Sequence, residues 1–564
     1  MGGRVESRGV EKSEGPPETS MTTSAPLSFS DPSPWHLVNT DWDETQSDTF
    51  VLTGDRCGTP GAAMQGMHYA VHPALCCVDC AFEFEIRLNP HSDTGVVFRA
   101  RDASHFYLLH FPNCGQQSRA QHFWVALSRM DDSGYLRRMR MSLVNGVPST
   151  RKDIWLHVRA HVEGPRVTVK VGDYGHVAFE DATYRGPGHV GVYAWRDAAL
   201  RGLRVATPRQ LDPIWEQGPV QRVNWTIPAP MEERVWQQPI DVRRFHDGEM
   251  VMQANLQKVI TAGSDAVAFP YLMRSSDRGR SWSPPKEIDF MGDGNSWSPP
   301  RLHLTPNERL LLVTPGRDHK KVFESTDRGN TWSDAGTTNL HIGPPRDQPV
   351  QDLSPAGFLN LRDGSILAIM LSSALIEASQ TNHTVWTWGS VHCQAFAARS
   401  EDDGRTWSEP VNVDASFLDA DGNVVTGNMD LTEGSAFETA DGRVVMLIRP
   451  VYSPWMWQTW SDDGGRSWSP CVRGPFPGYA APNMVRTVSG AVLIAHRMPG
   501  LCVHCSRDDG RTWDEGTTID SSVWAMGSMV EVEPDVVLYI YWDSDYSLMR
   551  SQRIRVTPSE IEPG

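Results

Sequence analysis

The chain has no apolar run of about 18 residues, no dense run of lysine and arginine, and no apolar stretch near its first residue. The first absence excludes a membrane-spanning helix. The second, with 52 Lys+Arg against 69 Asp+Glu and a formal charge of −17, excludes the electrostatic footprint of a nucleic-acid binder. The third argues against an export signal, so a cytoplasmic location and reduced thiols are expected. Cysteines number nine, an odd and unevenly placed set. Cys77-x-x-Cys80 and Cys502-x-x-Cys505 have a zinc-like spacing, but both read as strand segments, where residues three apart point to opposite faces. No metal and no cofactor is therefore expected.

Helical periodicity is also lacking, and what replaces it is short alternating strands. Residues 1–32, rich in Gly, Ser, Glu, Pro and Thr, read as a disordered arm. From 33 to 206 the pattern is Phe82-x-Phe84-x-Ile86, Gly95-Val-Val-Phe-Arg99, Phe106-Tyr-Leu-Leu-His110 and similar runs, which predicts a β-sandwich. A Pro-containing stretch, 207–220, reads as a linker. The order of these strands resembles the concanavalin-like jelly-roll modules attached to carbohydrate-active enzymes.

The second half carries five copies of S-x-D-x-G-x-x-W, beginning at Ser275, Ser325, Ser400, Ser461 and Ser506 and ending at Trp282, Trp332, Trp407, Trp468 and Trp513. In each, the Asp is expected to accept backbone N–H groups two residues on, and the Gly to supply a positive φ. The Trp is large enough to wedge between neighbouring sheets. Six hairpins, such as Phe437-Glu-Thr-Ala-Asp-Gly442 before Val444-Val-Met-Leu-Ile448, set the array at six sheets. A strand near 220–226 is expected to complete the last sheet and close a ring, which removes exposed edges. The predicted fold is all-β: a jelly-roll sandwich followed by a six-bladed propeller over 221–556, with a tail at 557–564.

These motifs resemble the Asp boxes of the sialidase (neuraminidase) superfamily, also described as BNR repeats. The resemblance implies a carbohydrate-processing propeller whose Asp boxes lie on the outer rim, away from the substrate. It further implies arginines that grip a sugar carboxylate, an Asp acid/base and a Tyr–Glu nucleophile pair. The segment from Glu433 to Arg449 resembles the stretch that opens with the pair's glutamate and ends with the second arginine; Arg497 resembles the third. Asp265 stands in the loop where the family keeps its acid. Two positions depart from the pattern: Gln237-Gln238-Pro239 replaces the Arg-Ile-Pro of the first arginine, and Met526 falls where the tyrosine belongs. Tyr541 and Tyr546 are the nearby tyrosines.

Glu433 and Asp265 are thus the candidate catalytic residues, and Arg449 and Arg497 the candidate carboxylate binders, because a guanidinium donates two parallel bonds to a carboxylate. Trp236, Gln237, Trp297, Trp386, Trp524 and His392 are candidate substrate contacts; the tryptophans suit stacking on sugar rings and equally suit wedging between sheets. The implied activity is hydrolytic removal of a terminal acidic sugar, of exo-α-sialidase type. One alternative is a lyase or glycosidase acting on uronate-containing glycans through His383, His392 or His496 as base. The other is a carbohydrate-binding propeller without catalysis.

Overall fold

The structure is a computed structural model that describes residues 22–23, 26–29, 35–38, 49–51, 68–88, 92–113, 123–147, 154–195, 198–216, 225–226, 235–258, 268–288, 300–314, 320–340, 350–352, 357–375, 391–450, 453, 455–497, 500–520, 527–543 and 548–564. Its regular structure is entirely β; no described residue is helical. No helix among the described residues is long and apolar enough to cross a membrane.

In the first half two antiparallel sheets pack face to face. One orders Ala199–Thr207, Cys80–Arg87, Leu156–Glu163, Arg166–Val171 and Gly175–Glu180 side by side. The other orders His68–Cys77, Gly188–Trp195, Asp93–Ala100, Phe106–His110, Phe123–Met130 and Leu136–Val144. Phe82, Phe84 and Ile86 point inward at alternate positions of their strand and meet Phe98, Leu109 and Val125. The outer residues of the first sheet stay partly wet. Asp93–Ala100 and Gly188–Trp195, by contrast, are buried on both faces. A second apolar layer of Tyr69, Val97, Leu108 and Trp195 covers their far side, with Trp215 packed against it. The segment 208–216, expected as part of a linker, runs back over this sheet: Leu211 N donates to Cys76 O at 2.9 Å, and Trp215 stacks on His36. Within the stretch expected to be a disordered arm, Thr22–Thr23 pairs with Ala206 and Thr207. Phe29 is fully buried.

Among the described residues of the second half, six antiparallel sheets of four or more strands follow one another, with a two-stranded hairpin of Ser416–Leu418 and Val424–Thr426 between the third and the fourth. Their first strands are Val235–Arg244, Arg301–Leu304, Gly357–Asn360, Leu431–Glu438, Tyr479–Arg486 and Gly527–Glu533. Each first strand presents an edge with unpaired N–H groups, and these need partners. Side chains of the neighbouring sheet supply them at one recurring position. Asp241 accepts from Leu302 N (2.9 Å), Ser435 from Met484 N (3.1 Å), Asn483 from Met529 N (2.8 Å) and Ser528 from Val242 N (3.1 Å). Asn360 of the third sheet donates to Leu304 O of the second at 2.9 Å. The bond from Ser528 back to Val242 joins the sixth sheet to the first. Trp225–Thr226 pairs with Ser551 and Gln552 and completes the sixth sheet, as the sequence led one to expect. The tail adds Ile561–Pro563 to the same strand, Leu548–Val556.

The five repeated motifs close the turns after the third strands of sheets one to five. Ser275 Oγ donates to Asp277, Gly279 N donates back to Ser275 Oγ at 2.8 Å, and Ser281 N donates to Asp277 at 2.9 Å. The acceptor reach is thus four residues, not the two expected, because both Arg278 (φ 63°) and Gly279 (φ 78°) are left-handed and fold the turn back on the Asp. Each motif leans on the preceding sheet: Trp282 packs with Val532 and Leu538, Trp332 with Val251 and Leu272, and Trp513 with Phe437 and Val445.

The halves share a sheet. Thr517 and Thr518, on the outer strand of the fifth sheet, pair with Arg137 and Leu136, which makes one antiparallel sheet of 11 strands. Arg137 donates to Ile561 O at 2.9 Å, Tyr135 Oη to Gln552 at 3.1 Å, and Trp124 meets Trp455 edge to face. Trp455 and Trp457 therefore serve packing, the latter against Phe417.

Candidate active site

The strand register fixes which end of its sheet each candidate occupies. Val444 pairs with Ser461 of one Asp box and Val492 with Ser506 of the next, and Arg449 and Arg497 each lie five residues further along those second strands. They stand on the same rung of adjoining sheets, at the end remote from the Asp boxes. Leu431 pairs with Pro450, which brings Glu433 to that end as well. Arg449 Nη1 donates to Glu433 Oε2 at 2.6 Å, with the arginine side chain 4% and the glutamate 21% exposed. Arg497 is buried close enough to Tyr539 for its charge to act on that phenol.

A band of polar groups underlies the pair. Cys393, buried beside Thr432 and Arg449, has its thiol pushed up to about 12 by desolvation. Cys393 N donates to Asp430 at 3.0 Å. Asp414, fully buried, is pushed up to about 7 by desolvation, against the opposing pull of the Ala395 and Leu431 amides that it accepts. Its place behind the first strand of the fourth sheet is that of a support and not of a substrate contact.

Other candidates separate from this group. Asp265, Trp297, Trp386, Trp524, Met526 and Tyr546 lie outside the described residues. For Trp236, Gln237 and His392 only the backbone is described, with Gln237 opposite Leu256 and His392 opposite Ala374. His496 is 1% exposed, and desolvation pushes its imidazole down to about 3. It faces Phe476 inside the sheet stack and has no access to a substrate, which removes it as a lyase base. Tyr541 lies within a strand, fully buried, and its hydroxyl donates to Asp520 at 2.5 Å, beside Arg550 at 3.0 Å from the same oxygen. Buried and so engaged, it does not serve as the missing nucleophile.

Sequence reading missed Arg301. It occupies the recurring first-strand position of sheet two, and its Nε lies 3.1 Å from Asp241, a carboxylate also held by Arg243 at 2.8 Å. The signal was present in the alignment of Arg301-Leu302 with Asp241-Val242 and Ser435-Ala436, but hairpin spacing alone does not say which side faces the next sheet.

Residues 319–552 match the model of the BNR repeat-like domain. Among solved structures, the NanB sialidase of Streptococcus pneumoniae is similar at 9% identity and a TM-score of 0.41, over 85% of this chain and 95% of that one. The leech intramolecular trans-sialidase is similar at 11% identity and 0.39, over 85% and 94%. The α-L-arabinofuranosidase Arb93A of Fusarium graminearum is similar at 12% identity and 0.41, over 58% and 96%. No curated protein matches the sequence.

Proposed function

We propose that this chain is a glycoside hydrolase of sialidase-like type that removes a terminal acidic sugar, built as a jelly-roll sandwich joined to a six-bladed propeller. The observation that carries the reading is the placement of Arg449 and Arg497 on one rung of adjoining sheets, with Glu433 bonded to the first. Two guanidinium groups there suit a sugar carboxylate, whose two oxygens match the planar fork of an arginine. The ion pair presents Glu433 as a carboxylate, the form that takes a proton from an attacking water. Asp265 is the partner that gives a proton to the leaving oxygen, and two carboxyl groups flanking one bond are the standard hydrolytic arrangement. Water, and not a tyrosine, is the nucleophile in this scheme, because Met526 holds the tyrosine position and Tyr541 is committed to Asp520.

That same commitment of Tyr541 favours a second reading, in which the ring binds acidic glycans without cleaving them. A panel of fluorogenic terminal acidic glycosides, run with the wild type beside Glu433→Gln, separates the two. Release of the fluorophore by the wild type alone supports the hydrolase. Calorimetric binding with no release supports the binder. An unsaturated-uronate absorbance on uronate-containing glycans supports instead a lyase, which would then rest on His392.

A further inference from the structure

We propose that His496, Cys502 and His504 form a three-coordinate site for a soft monovalent metal ion, Cu(I), at the junction of the two halves. The three residues sit on one face of a single hairpin: His496 is the cross-strand partner of Cys502, and His504 follows two residues later on the same side of its strand. Their donor atoms all lie within 4.8 Å of one another, and all three residues are buried. Cys502 Sγ is 3.8 Å from His504 Nε2. An ion held at about 2.0 Å by an imidazole and about 2.3 Å by a sulfur requires a separation of roughly 3.6–3.8 Å between those donors.

Both imidazoles are oriented as ligands. Nδ1 of His504 lies 2.9 Å from Asp514 O and Nδ1 of His496 lies 3.2 Å from Arg497 O. A carbonyl can only accept, so each Nδ1 carries the proton and each Nε2 turns a lone pair toward the cluster. His496 Nε2 is buried and has no hydrogen-bond partner among the described residues. Phe476 stacks on His504 at 3.8 Å, while His496 lies 5.0 Å from His504 and 5.6 Å from Phe476, with all planes within 11° of each other. The two imidazoles are thus nearly parallel and side by side with Phe476 against them. Gly516 closes the site: a Cβ there would lie 2.8 Å from Cys502 Sγ and 2.9 Å from His504 Nε2.

The choice of ion follows from donor count and charge. Three donors suit Cu(I), for which thiolate and imidazole are favoured, whereas structural zinc takes four. The guanidinium of Arg138, from the first half, stands beside the Cys502 sulfur. The Asp514 carboxylate is paired with Arg507 at 3.9 Å. Because the ion displaces the Cys502 proton, a monovalent ion leaves the net charge of this buried site unchanged, whereas a divalent ion adds one unit. Binding displaces the Cys502 proton to solvent and forms one Cu–S and two Cu–N bonds, with no change of oxidation state. Cys505 faces the other side, among Leu493, Val503 and Ile519, as the alternation of a strand led one to expect.

The test is anaerobic titration of the reduced, full-length protein with Cu(I) against a colorimetric Cu(I) chelator. The expected result is one Cu(I) withdrawn per chain, at least tenfold weaker withdrawal by Cys502→Ser and by His496→Asn, and no change in Cys77→Ser, whose thiol belongs to a separate cluster. X-ray absorption of the copper-loaded wild type should show one sulfur and two nitrogen neighbours, a readout that stands whether or not the variants fold. Wild-type uptake no tighter than that of Cys502→Ser, a copper environment with two or more sulfurs, or one equivalent of Zn(II) taken up with Cu(I) refused would each overturn the proposal.

Discussion

Arg449 donates to Glu433 across 2.6 Å at the end of the fourth sheet that faces away from its Asp box. The arginine is nearly dry, so the pair has two consequences, one for stability and one for recognition. Glu433→Gln keeps the shape and an acceptor but removes the charge, and should cost about 1–3 kcal/mol of stability because a buried cation loses its partner. If the hydrolytic scheme holds, the same variant should lose at least 100-fold in kcat on an acidic glycoside with little change in KM. Arg449→Lys should instead raise KM about 10-fold or more, since a point charge cannot make paired bonds to a carboxylate. Steady-state kinetics on folded variants, checked by circular dichroism, decide both.

The hydrogen bonds between first strands offer a test of how neighbouring sheets are held together. Asn483→Ala leaves Met529 N without its acceptor, and an unsatisfied buried amide costs about 1–3 kcal/mol. Asn483→Asp retains an acceptor oxygen and should recover most of the loss. Urea unfolding of the two variants beside the wild type measures the difference, and equal stabilities would remove the role assigned to this latch.

Glycines in the Asp boxes differ from those in the hairpin turns. Gly510 (φ 83°) would place a Cβ 2.5 Å from the ring of Phe437 on the preceding sheet, whereas Gly364 (φ 87°) has nothing within 4 Å. Both alanine variants bear the left-handed backbone cost of about 1 kcal/mol. Gly510→Ala adds overpacking of about 1–3 kcal/mol. Thermal melts should rank Gly510→Ala clearly below Gly364→Ala.

Asp414 gives a pH dependence with a definite sign. Burial raises its folded pKa to about 7, against about 3.9 in an unfolded chain. Between those values the folded state holds a proton that the unfolded state has released, so stability from this group is present below about pH 4, declines as pH rises to about 7, and is flat above. Asp414→Asn should lack that decline and exceed the wild type by about 2–4 kcal/mol near pH 8. Unfolding free energies of the two proteins at pH 4.5, 6 and 8 check it.

The all-β class was written in local pattern. Phe82-x-Phe84-x-Ile86 alternates because one face of its strand is wet, and five Asp boxes repeat because each turn needs the same Ser–Asp–Gly bonding. The positions of Arg449 and Glu433 at one end of a hairpin also follow from strand length alone. Other features depend on what packs across the chain. Asp93–Ala100 hides its period because apolar layers cover both faces, and Phe29 is buried although its surroundings in sequence are polar.

What sequence by itself determined is therefore the repeating unit: alternation and turn chemistry act over fewer than ten residues and are complete within them. Tertiary structure alone decided that Ser528 reaches Val242 to join the sixth sheet to the first, that the outer strand of the fifth sheet pairs with Leu136–Val144, and that His496, Cys502 and His504 share a face. These relationships join residues through register and cross-chain pairing, and a one-residue slip of a strand would send each side chain to the opposite face.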